Sequence, residues 1–266
     1  MDGEDGARNA GRRIAVLLEY DGTAYRGSQY QENGPSIQDA LEAAVSKLTG
    51  ARVRAAFAGR TDAGVHALGQ VAAFDTQSDI APAGFVGGLN HFLPQDIAVR
   101  DAREVAADFD PRRHARSRVY RYRIDNRPVR SPLERERAWH VPRALDVAAM
   151  QRAARLLDGS HDFAAFAGPY EGLTQRTLQR CEVTALCGRV VIEMEAQAFL
   201  PHQVRRTAGP LVEVGLGRMT EEALVALLEQ ARPSSAGPAA PACGLYLVRI
   251  AYDGLRWAPD QGNGQS

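Results

Sequence analysis

Residues 59–70 read GRTDAGVHALGQ and lie between two apolar runs, 53–58 and 71–74. Runs of that length and composition read as buried strands. Three glycines, Gly59, Gly64 and Gly69, punctuate the polar stretch between them. The pattern predicts strands at about 52–58 and 69–75, joined by a tight loop that carries Arg60, Asp62 and His66. Two readings of Asp62 stand open at this point. Thr61-Asp62-Ala63-Gly64 is a sound turn sequence, in which the carboxylate closes an Asx-turn on its own backbone. In the other reading a rigid turn holds an ionised carboxylate at a cleft, beside an arginine, as a nucleophile or base.

Outward from that loop the elements follow an ordered set of types. Before it come a strand at 14–18, a turn at Tyr20-Asp21-Gly22, and a helix whose apolar residues Ile37, Leu41, Ala44, Val45 and Leu48 recur at helical spacing. Ser36, with Asp39 three residues on, marks its start and Gly50 its end. After it come a helix at 83–91 and a strand at 97–103. A looser echo follows: a strand at 118–126, a helix at 145–157, and a hairpin of 181–186 and 190–199 around Cys187-Gly188-Arg189. Helices at 203–215 and 220–231, a Pro/Ala/Ser-rich loop and a strand at 245–252 complete the chain. The order predicts two α+β halves with mostly antiparallel sheets, spanning 12–105 and 106–256, between flexible tails at 1–11 and 257–266.

Composition narrows the classes. The 266 residues are 45% hydrophobic and 24% charged, as in a soluble globular protein with a sizeable core. No apolar run is long enough to span a bilayer, and the acidic, glycine-rich start lacks the apolar stretch of a signal peptide. Three cysteines do not make a disulfide framework, so the cytoplasm is the expected compartment. Formal net charge is zero, yet residues 112–137 hold ten arginines against three acids. That stripe is either a phosphate-binding surface or a solvated, salt-bridged face. The six histidines form no His-x-x-x-His pair and Cys181 and Cys187 lack zinc spacing, so no metal site is expected. The glycines of the quoted loop do not end in the Gly-Lys-Ser/Thr of a phosphate-binding loop, and no Gly-x-Ser-x-Gly elbow occurs.

GRTDAGVHALGQVAAF resembles the catalytic segment of the TruA family of tRNA pseudouridine synthases. YDGTAYRGSQYQ, SIQDALEAAVSKLTG, GLNHFLPQDIAV, SRVYRYRI, GSHDFAAFAG, AFLPHQVRR with VGLGRM, and APACGLYLVRIAYDG follow in the family's order, from about Arg13 to Asp253. The resemblance implies two ferredoxin-like or RRM-like halves around a central active-site cleft. It implies isomerisation of uridine to pseudouridine at positions thirty-eight, thirty-nine and forty of the tRNA anticodon arm, by a homodimer needing no cofactor. Asp62 matches the catalytic aspartate, and Arg60 the arginine that helps open the stem. Tyr120 matches the tyrosine that stacks on the target uracil. Arg205 matches the arginine that ion-pairs the catalytic carboxylate, with Leu200 and Phe199 on the strand lining the pocket. In this reading Arg112, Arg113, Arg116, Arg118 and Arg121 belong to the tRNA-facing surface. Three positions depart from the family pattern: Ser28 stands for a tryptophan, Asp110-Pro111 for His-Ala, and Gln203 with Arg206 for Met and Asn. These are expected to alter surface contacts with RNA. Two rivals remain, a non-catalytic RNA-binding relative and a hydrolase using Asp62 with His66.

Overall fold

A computed structural model describes residues 11–258. The expected tails fall outside the described residues at 1–10 and 259–266. Trp257, placed in the C-terminal tail by composition, is half-buried and packs against the core. The first half contains β1 (Arg12–Tyr20), α1 (Ile37–Thr49), β2 (Ala56–Phe57), β3 (His66–Thr76), α2 (Pro82–Phe92) and β4 (Ile97–Val105). The second contains β5 (Ala115–Asp125), β6 (Trp139–His140), α3 (Val147–Arg155), β7 (Gly159–Asp162), β8 (Gln175–Leu186), β9 (Arg189–Ala196), α4 (Gln203–Gly215), α5 (Glu221–Gln230) and β10 (Leu245–Tyr252).

Local chemistry sets several of these boundaries. Ser36 caps α1 by accepting from the Asp39 N–H, and Gly50, in the left-handed region, ends it. Asp146 and Thr220 cap α3 and α5 in the same way. The strand expected at 52–58 shrinks to two residues because α1 takes the backbone of Ala55. The Gln38 amide donates to the Ala55 carbonyl, and the Ala55 N–H donates to Glu42. β8 is longer than expected, since its first residues pair with β7, a short polar strand that carries no alternation signal.

Each half repeats one plan: two βαβ units wound so that their strands interleave. The strand order is β4-β1-β3 in the first half, with β2 beside β3, and β10-β5-β9-β8-β7 in the second. All pairings within the halves are antiparallel except the short β5–β6 contact. The halves do not keep separate sheets. β10 pairs in parallel with β3 at His66 and Ala67, which makes one ten-stranded sheet. Further along β3, Ala72 and Ala73 pair with β2. Gly69 lies between these contacts, where a Cβ would stand 2.4 Å from the Val248 carbonyl oxygen. Glycine is what lets the two halves close. Among the described residues no helix is long and apolar enough to cross a membrane.

Candidate active site

The loop between β2 and β3 is held from several directions before its carboxylate does anything. The Gln70 carboxamide receives the Gly59 N–H at 3.3 Å and donates to the Gly59 carbonyl at 2.7 Å. Ser28 receives the Thr61 N–H on its hydroxyl, and its own N–H donates to the Thr61 carbonyl. The Thr61 hydroxyl bonds that of Tyr20 at 2.8 Å. A backbone turn closes from the Val65 N–H to the Asp62 carbonyl, with Gly64 at φ 76°. The Gly64 N–H goes to Tyr25, so the turn does not use the Asp62 side chain. The turn exists, and the carboxylate is free of it.

That carboxylate is 35% exposed and meets Arg205 from the first turn of α4. Nη1 of Arg205 lies 2.8 Å from Oδ2, and Nε2 of His202 lies 3.6 Å from Oδ1. Arg205 is fixed in turn: its Nε donates to the Ala240 carbonyl, and its own carbonyl accepts from the Ala240 N–H. Residues 143 positions apart thus form a charge-assisted pair in a partly shielded site. His202 takes up φ 60° just before α4, a backbone conformation that costs a non-glycine residue energy.

Behind Asp62 a cleft of about 590 Å³ opens between the halves. Tyr120 from β5 is buried in it, edge-on to Phe199 at 5.2 Å between ring centres. Burial pushes the Tyr120 phenol well above its ordinary range; the nearby Tyr20 and Asp62 act the same way, and Arg118 opposes them. Leu200 is buried in the wall. Arg60, Arg112, Arg113, Arg118 and Arg176 also line the cleft, where among the described residues Asp62 is the one acid.

A family model described as tRNA pseudouridine synthase matches residues 16–112 and 153–253. The chain is 49% identical over 243 residues to a tRNA pseudouridine synthase A of Myxococcus xanthus, covering 90% of this chain and 92% of the relative. It is 47% identical to one of Pelobacter propionicus, covering 91% and 100%, and 48% identical to one of Roseiflexus castenholzii, covering 95% and 93%. The chain belongs to the tRNA pseudouridine synthase family.

Within this synthase fold the residues expected from sequence divide. Asp62, Arg60, Tyr120, Leu200 and Arg205 come together at the cleft. Asp62, Arg60, Leu200 and Arg205 lie inside the matched stretches, while Tyr120 lies between them. Phe199 and Leu200 sit on an irregular segment after β9 rather than on a strand. The arginine stripe splits because only part of it lies on β5 and its members meet different neighbours. Arg112 and Arg113 are exposed at the cleft. Arg116 is ion-paired with Asp253, and Arg121 pairs with Glu193 at a different pocket. Arg118 is only 8% exposed and acts as a bracket. It donates to the carbonyls of Ala58, Gln197 and Arg112, and so ties together three segments of the cleft wall.

His66 is the first residue of β3 rather than a loop residue, and it lines a pocket that does not include Asp62. Its Nδ1 accepts from the Gly22 N–H and its Nε2 meets the Glu136 carbonyl, which fits a neutral ring protonated at Nε2. Burial holds its pKa below the usual value. It cannot serve Asp62 as a base, and the hydrolase reading fails on that geometry. The departures at Ser28, Asp110 and Arg206 also read differently in three dimensions. Ser28 is fully buried and braces the loop that carries Asp62. Asp110 accepts from the N–H groups of Arg112 and Arg113, and Arg206 donates to the carbonyls of Ser234 and Gly237. His202 and the bracket role of Arg118 were not foreseen. The signal available for His202 was its place three residues before Arg205. Among the described residues no group of three or more His, Cys, Asp or Glu is placed to hold a metal ion.

Proposed function

We propose that this chain isomerises uridine to pseudouridine at positions thirty-eight, thirty-nine and forty of the tRNA anticodon stem-loop, with Asp62 as the nucleophile. Synthase activity on tRNA follows from family membership. The residue roles and target positions are the reading offered here. The observation that carries it is the Asp62–Arg205 pair at the head of an arginine-lined cleft with a buried tyrosine.

The target base leaves the stack at a cost of a few kcal/mol, on the order usual for flipped bases. Tyr120 offsets part of it by stacking, worth about 1–3 kcal/mol per base. The ionised Asp62 attacks the sugar C1′ as the C1′–N1 bond breaks, and the uracil leaves as its anion. The uracil turns, C5 bonds to C1′ as the Asp62 bond breaks, and the C5 proton is lost as N1 gains one. A second route has the same carboxylate assist loss of the 2′ proton to give a glycal. Both use the Asp62 carboxylate, which the Arg205 guanidinium holds in place at 2.8 Å. Arg60 fills the space that the displaced nucleotide leaves. Arg112 and Arg113 meet phosphates, which makes binding salt-dependent. We further place the protein in the cytoplasm as a homodimer.

The test is pseudouridine formation in unmodified tRNA bearing uridines at the three positions, with wild type and Asp62→Asn compared and no metal or cofactor added. Product from wild type alone, with both proteins folded and binding tRNA equally, supports the reading. Binding without product from the wild type would sink it in favour of a non-catalytic RNA-binding relative.

A further inference from the structure

We propose that Tyr170 and Arg176 form a second base-stacking subsite at the mouth of the cleft, which holds the nucleotide beside the uridine being isomerised; this rests on reading the cleft as a tRNA site. Tyr20, Tyr25, Tyr122, Tyr246 and Tyr252 each commit their hydroxyl to a protein partner. Tyr170 instead is 46% exposed and faces the same cleft as Asp62 and Tyr120. Its surroundings hold the ring in place. The Arg176 guanidinium carbon lies 5.9 Å from the ring centre. Arg176 is pinned by donating to the Leu173 and Gln175 carbonyls at 2.8 and 2.6 Å. Its Nε is shielded from solvent and has no partner, so one donor at this edge of the cleft is unmet. The loop also wraps the ring: a Cβ on Gly172 would stand 2.7 Å from it.

A base that leaves a stack strips its neighbour of one stacking partner. An aromatic ring backed by a guanidinium replaces that partner without regard to which base is present. This suits an enzyme that accepts several neighbouring uridines, whose flanking bases differ. Arg60, Arg112 and Arg113 in the same cleft supply the cations for the backbone of that nucleotide.

The experiment uses anticodon stem-loop RNAs with 2-aminopurine on the 5′ or the 3′ side of the target uridine, together with steady-state kinetics on full tRNA. Wild type quenches the probe on one side when it binds. Tyr170→Ala loses that quench and raises KM by roughly tenfold, with kcat within about twofold and an unchanged melting temperature. Tyr170→Phe, which keeps the ring, behaves as wild type. An active wild type that quenches neither probe, or a Tyr170→Ala protein with unaltered quench and KM, overturns the subsite. A wild type that makes no pseudouridine overturns the proposed function instead, so the two failures are distinguishable.

Discussion

Arg112 and Arg118 carry the same guanidinium six residues apart and meet opposite fates. Arg112 is exposed at the cleft, while Arg118 is buried with its donors spent on three backbone carbonyls. Arg118→Met strands those carbonyls, each costing about 1–3 kcal/mol when unmet and out of water. Allowing for relaxation, urea unfolding should show a loss of about 2–4 kcal/mol, with the salt dependence of tRNA binding unaltered. Arg112→Gln should do the reverse, leaving stability within about 0.5 kcal/mol and lowering the slope of log K against log salt by about 1. Exchanged outcomes would refute the assignment. Sequence alone put both residues on one basic surface. Whether an arginine meets solvent or protein depends on where the fold places it and what packs there, and arginine count carries neither fact.

The loop that carries Asp62 is a unit of several segments, and its parts were unequally legible. Its position between strands and its glycines were plain from residues 59–70, as was the helix over 37–49 with its Ser36 cap. The shortness of β2 was not, because the Gln38 and Glu42 side chains that take its backbone groups belong to another element. Ser28 was read as a surface change and proves to be a brace. Ser28→Ala should cost about 1–3 kcal/mol by leaving the buried Thr61 N–H without an acceptor. It should also lower kcat more than it raises KM, because the loop seats the carboxylate proposed to react; unchanged kinetics would count against that coupling. His202 is a further case of local cost kept at a site. His202→Gly relieves the left-handed backbone, with an expected gain of up to about 1 kcal/mol in thermal stability, yet it removes the second contact on Asp62 and should slow product formation.

At the scale of the molecule, the join between β3 and β10 turns two halves into one sheet and the space between them into a cleft. His66 stacks on Tyr246 across that join, 4.7 Å between ring centres. Burial holds its imidazole below the ordinary value, while the Asp21 carboxylate pulls the other way without winning. The unfolded chain therefore takes up this proton at a higher pH than the folded one. Its stabilising contribution is full above the ordinary imidazole value, about 6.5, and declines as pH falls through it toward the lowered folded value. The urea midpoint of the wild type should drop between roughly pH 7.5 and 5.5 by more than that of His66→Gln. Equal drops would show that this histidine does not govern the join.

The sequence by itself determined the α+β class, most helices and most strands, and the resemblance it carries brought Asp62, Arg205 and Tyr120 forward as candidates. The elements follow from local periodicity, caps and turn chemistry, and the candidates from motifs that stand in the family's order. Only the tertiary structure showed the Asp62–Arg205 contact that the resemblance implied, that His66 points away, and that the arginine stripe divides between a cleft, a bracket and distant ion pairs. Each depends on contacts between segments far apart in the chain, which spacing in one dimension does not carry.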